Sequence, residues 1–114
     1  MAKPSPEELY DLGMLSYDKQ DFSKARKYFE KACDLKEGKG CFNLGELYFE
    51  KDLIKATYFY SKACDLNNGN GCGGLGFLYG SGKGVEKDLT KADQYISKAC
   101  KLGDQEACEA LKEK

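Results

Sequence analysis

The chain has 114 residues, room for one domain, and its 41% hydrophobic and 32% charged content is that of a folded globular protein. It holds no histidine, which excludes histidine-based acid–base triads and the common histidine metal sites. With 18 basic and 19 acidic side chains the net charge is -1, so no basic excess exists to hold a nucleic-acid backbone; the apolar runs are also far too short to span a bilayer.

In chain order, Ser5-Pro6-Glu7-Glu8 reads as a capping box with proline at the first helical position. It predicts a helix through Leu12-Gly13. Asp21 is placed to cap a second helix, in which Phe22, Ala25, Tyr28, Phe29, Ala32 and Cys33 recur on one face. Glu37-Gly38-Lys39-Gly40 is read as the turn into a third helix around Leu44-Gly45. The pattern then repeats. Asp52 opens a helix that runs to Lys62-Ala63-Cys64, Asn67 to Gly71 is read as a turn, and Leu75-Gly76 marks the next helix. Asp88 opens a helix ending at Lys98-Ala99-Cys100, and Asp104 caps a last short helix carrying Cys108 and Leu111.

Cysteine spacing calibrates this register. Cys33 and Cys41, Cys64 and Cys72, and Cys100 and Cys108 are each eight residues apart. The first members of the pairs are separated by 31 and then 36 residues. A constant inner spacing with a variable outer one is the mark of a repeated unit with a loop of changing length. The expected fold is all-α, an α/α solenoid of three helical hairpins plus a C-terminal capping helix. The repeats are expected at about 5–36, 37–67 and 68–103, the cap at about 104–112.

In each pair one cysteine falls late in a helix and the other early in the next. A tight antiparallel turn brings such positions within disulfide reach, ~4.4–6.8 Å between Cα atoms. Cys33–Cys41, Cys64–Cys72 and Cys100–Cys108 are therefore the expected bridges. Zinc is the sharper alternative but needs four converging ligands, and these pairs lie a repeat apart; reduced core thiols are the third reading. Each bridge would remove ~2–3 kcal/mol of unfolded-chain entropy. Disulfides imply an oxidising compartment. Met1-Ala2-Lys3-Pro4-Ser5 has no apolar core and does not read as a signal peptide. The expectation is a secreted or periplasmic protein whose signal has been removed, or a recombinant, engineered chain.

The stretch from Leu75-Gly76-Phe77 through Gly80-Ser81-Gly82-Lys83-Gly84 and Asp88-Leu89-Thr90-Lys91-Ala92 to Lys98-Ala99-Cys100 resembles a Sel1-like repeat. The seven residues between paired cysteines make the chain resemble, more narrowly, the Helicobacter cysteine-rich proteins. The resemblance covers roughly residues 7 to 112. It implies paired antiparallel helices in a right-handed superhelix related to tetratricopeptide repeats, and a role in binding proteins or peptides. The middle copy departs from the pattern, passing from Tyr48-Phe49-Glu50-Lys51 straight into Asp52 without the glycine-rich loop. An engineered or idealised repeat scaffold without a natural ligand is the alternative function.

By analogy with tetratricopeptide hairpins, the concave face would present Tyr10, Met14, Tyr17, Lys39, Phe42, Glu46, Asn70 and Phe77. Such a groove suits an extended peptide or a partner helix; the plainer reading is that Tyr10, Phe42 and Phe77 pack between hairpins. Lys39, Asn43 and Asn70 are too few for a carboxylate clamp. Tyr28, Phe29, Phe59, Tyr60, Tyr95 and Ile96 are read as core. The expected protein is a monomer that binds a protein or peptide, with no nucleic acid, membrane, metal or cofactor.

The resemblance also raises weak penicillin binding or β-lactam hydrolysis as a minor alternative. Ser16-Tyr17-Asp18-Lys19 does fit the serine–lysine signature, but no Ser-Asp-Asn or Lys-Thr-Gly partner exists. It is read as a solvated helix end. Gly80-Ser81-Gly82-Lys83-Gly84 fails as a phosphate loop, because Phe77 stands where a glycine is required and Gly84 where serine or threonine is. No enzymatic activity is expected.

Overall fold

The computed structural model describes residues 2–113. Among them it forms seven helices and no strand: α1 (Pro6–Asp18), α2 (Phe22–Asp34), α3 (Gly38–Tyr48), α4 (Leu53–Asp65), α5 (Gly69–Ser81), α6 (Leu89–Lys101) and α7 (Gln105–Lys112). Consecutive helices make the main packing contacts, and α3 also touches α5. The result is a right-handed solenoid of three hairpins closed by α7, elongated to 51 × 27 × 21 Å.

Short polar side chains start the helices by accepting amide protons that no helical carbonyl can reach. Ser5 and Glu8 form the reciprocal capping box, with Pro6 in the first turn. Asp21, Asp52, Asp88 and Asp104 accept from the amides of Lys24, Lys55, Lys91 and Ala107. Glu37 and Asn68 cap α3 and α5 in the same way, a role their sequence context did not announce. Helices α2, α4 and α6 end alike. Lys36, Asn67 and Gly103 take positive φ, while the next amides, of Glu37, Asn68 and Asp104, bond back to Ala32, Ala63 and Ala99. This six-to-one closure satisfies carbonyls that would otherwise be orphaned.

The glycine-rich pieces are not the turns expected of them. Gly38 and Gly40 belong to the first turn of α3, and Gly69 and Gly71 to that of α5; the connections are only residues 35–37 and 66–68. The reason is close approach. A Cβ at Gly40 would lie 2.8 Å from that of Ala32, and one at Gly71 2.5 Å from that of Ala63. Glycine there lets two helices meet closely at the bridges Cys33–Cys41 and Cys64–Cys72, whose Cα atoms lie 4.7 and 4.5 Å apart, while Cys100–Cys108 closes at 4.6 Å with Ala107 in the equivalent position.

One apolar cluster centres on Phe29, Cys33, Cys41 and Leu44, another on Tyr60, Cys64, Cys72, Leu75 and Leu78. Phe42 and Tyr48 pack against both and make the core continuous along the solenoid. Ser16 is buried, not solvated, and its hydroxyl donates to the Leu12 carbonyl at 2.9 Å. In the third hairpin, Gly82 and Gly84 take positive φ and fold the loop back on α4, where a Cβ at Gly84 would strike Leu53.

Candidate binding groove

Leu-Gly pairs recur in α1, α3 and α5, and the glycine of each faces a large side chain of the following helix. A Cβ at Gly13 would lie 2.5 Å from the Phe29 ring, one at Gly45 2.5 Å from Tyr60, and one at Gly76 2.7 Å from Ile96. These contacts set the depth at which each hairpin closes, so Tyr60 and Ile96 come to rest beneath the solenoid's inner face. There, α3, α5 and α7 bound an open groove of about 620 Å³.

The groove has an aromatic side and an acidic side. Phe42 stacks on Tyr60 at 5.8 Å between ring centroids, and Phe49 lies 6.3 Å from Phe77, whose side chain is 52% exposed. Glu46, Asp104 and Glu106 bring carboxylates to the lining, with Asn70 beside them. The Tyr60 hydroxyl donates to Glu46 Oε1 at 3.1 Å. Burial, reinforced by the Glu46 charge and by this hydrogen bond, pushes the Tyr60 phenol well above the usual tyrosine range. It remains a neutral donor that holds the Glu46 carboxylate in place.

Small residues keep the groove open. By register from the Leu-Gly pairs, Gly73 stands where Tyr10 and Phe42 stand in the earlier hairpins. A Cβ there would come within 2.5 Å of Asp104 Oδ2, and one at Gly74 within 3.0 Å of the Tyr60 ring. The third hairpin thus replaces an aromatic side chain by space, into which the α7 cap brings its carboxylate.

Of the eight expected concave residues, Phe42, Glu46, Asn70 and Phe77 line this groove. The other four lie outside it, on the first hairpin or beside it. Tyr10 packs against Phe29 with the Lys39 ammonium 4.9 Å from its ring, Met14 Sδ accepts from Asn43 Nδ2, and Tyr17 meets Phe22 edge-on. The two readings of the aromatics therefore divide by residue: Tyr10 packs, Phe77 is open, and Phe42 does both. Tyr60 and Ile96, assigned to the core, also form groove surface. Phe49 was missed although it keeps the register of Tyr17, four residues after the glycine of its helix. The α7 residues carried no comparable signal, since they face the groove only once the cap has folded over.

The Sel1 repeat model matches residues 38–68 and 70–104, more than half of the chain. The chain belongs to the Sel1 repeat family. A tetratricopeptide repeat model matches residues 6–39, the first hairpin. The solved structure of Helicobacter pylori cysteine-rich protein HcpB superposes with a TM-score of 0.79 at 37% identity, covering 90% of this chain and 87% of that one. HcpC of Helicobacter pylori strain J99 is 64% identical over 50 residues, 44% of this chain and 17% of that protein. HcpA of the same strain, which bears the name beta-lactamase, is 56% identical over 50 residues, 44% of this chain and 20% of that protein. The chain spans only about a fifth of the length of these two curated relatives. Three disulfides and this kinship indicate an oxidising environment.

Proposed function

We propose that this Sel1 repeat chain is a non-enzymatic module, secreted or periplasmic and monomeric, that binds a protein or peptide in the groove between α3, α5 and α7. The repeat units are taken as residues 5–36, 37–67 and 68–103, with 104–112 as the cap. The observation carrying the reading is Phe77, an aromatic side chain half open to solvent at the edge of a concave surface whose floor is Tyr60 and Ile96. Exposed aromatics beside a few polar groups are the usual anchors of peptide recognition. Hydrolysis is disfavoured at Ser16, whose hydroxyl is buried and already donates to a backbone carbonyl.

The test is a peptide array probed with the intact, oxidised protein. Phe77→Ala is expected to weaken captured peptides by more than about 1 kcal/mol. Ile54→Ala, at a 74% exposed position outside the groove, is expected to change nothing. No peptide captured, or equal loss from both variants, would refute the reading. Nitrocefin turnover that disappears in Ser16→Ala would replace it with an enzymatic one.

A further inference from the structure

The charge of the groove departs from that of the molecule. The chain as a whole is nearly balanced, with 18 basic and 19 acidic side chains. Among the described residues, the groove lining carries Glu46, Asp104 and Glu106 and neither lysine nor arginine. These carboxylates come from separate elements, one from α3 and two from the α7 end. They share a concave surface with Phe42, Phe49 and Phe77.

Two of the three are positioned by the fold. Glu46 Oε1 accepts the Tyr60 hydroxyl at 3.1 Å, which leaves its second oxygen for a ligand. Asp104 Oδ1 accepts the Ala107 amide at 3.3 Å, while Oδ2 occupies the space that glycine leaves at position 73. A cation also already reaches the aromatic side. The Lys83 ammonium, on the loop after α5, lies 5.9 Å from the centre of the Phe77 ring. Cations are attracted to such ring faces.

We propose that the groove selects peptide segments carrying an apolar anchor next to a lysine or arginine, the anchor seated against Phe42, Phe49 and Phe77 and the cation against Glu46 and Glu106. This rests on the peptide-binding reading above and adds the chemical class of the ligand. Charge complementarity identifies the occupant: an acidic segment would meet three carboxylates, whereas a basic one meets opposite charge on the same concave surface. The loop lysine then competes with the ligand's anchor for the Phe77 ring and adds a like charge beside the incoming cation.

The experiment uses fluorescein-labelled synthetic peptides that share one phenylalanine anchor and differ only in a neighbouring arginine, glutamine or glutamate. Binding to the full oxidised chain is followed by anisotropy at low and raised salt. The arginine peptide should bind best and the glutamate peptide worst, with the difference shrinking as salt screens the charges. Glu46→Gln and Glu106→Gln should each weaken the arginine peptide roughly 2- to 5-fold and leave the glutamine peptide unchanged. Glu46→Gln keeps an oxygen acceptor for Tyr60, so circular dichroism should show an intact fold. Lys83→Ala should tighten the arginine peptide. If arginine and glutamine peptides bind equally and both are weakened by Phe77→Ala, the charge selection is wrong and the groove reading survives. If no peptide binds the wild-type chain, both are wrong.

Discussion

Lys36 and Asn67 hold φ of 66° and 63° at the positions where the third hairpin places Gly103. A side chain in the left-handed region costs about 1–2 kcal/mol relative to the right-handed one, a cost glycine avoids. Lys36→Gly should therefore stabilise the protein by about 0.5–1 kcal/mol, read as a higher urea midpoint at unchanged slope. Tyr60 carries the other prediction at this scale. An unfolded chain releases a tyrosine proton near pH ~10, whereas the folded state holds the Tyr60 proton to higher pH. That contribution is complete below pH ~10 and is lost as the pH rises beyond it. Urea midpoints measured across that range should fall for the wild type, and less steeply for Tyr60→Phe.

Helix α7 is eight residues long, too short to persist alone in water, and depends on packing against α6 and on the Cys100–Cys108 bridge. Cys33, Cys41, Cys64 and Cys72 are buried, whereas Cys100 and Cys108 are both partly exposed. A mild thiol reductant should therefore open Cys100–Cys108 first, because attack needs access to a sulfur. Alkylation of the partly reduced protein followed by peptide mass analysis checks the order. Amide exchange over residues 105–112 should rise in that species while α3 and α4 stay protected. Early labelling of Cys33 or Cys64 would contradict this. Since α7 and its capping residue supply Glu106 and Asp104, its release would also remove one wall of the groove.

The whole molecule is elongated, and its core is a chain of neighbour contacts with little long-range closure to stiffen it. Bridges between consecutive helices compensate by restricting the unfolded chain. At ~2–3 kcal/mol each on the chain-entropy model, together they rival the ~5–15 kcal/mol net stability of an ordinary domain. Full reduction should therefore unfold most of the protein at room temperature, seen as loss of far-ultraviolet helical signal that returns on reoxidation. Retention of the full helical signal in the reduced state would place the stability in packing instead. The groove lies toward the C-terminal end of the solenoid, where the third hairpin and the cap meet. It is assembled from the equivalent helices of successive units, α3, α5 and α7.

Much of this was legible in the residues because it is local and periodic. Cysteines eight apart, the Asp before each second helix and the paired Leu-Gly steps each report one turn of chain, and each has a short-range physical cause. The same reasoning mistook the glycines of α3 and α5 for turns, since glycine serves close helix approach as readily as chain reversal. By itself, then, the sequence determined the repeat, its caps and the positions that could be bridged. Only the tertiary structure decided which aromatics are open, that Gly73 yields its place to Asp104, and that α7 turns an apolar trough acidic. Those properties depend on which side chains of non-adjacent helices share one volume, and no periodicity along the chain records that.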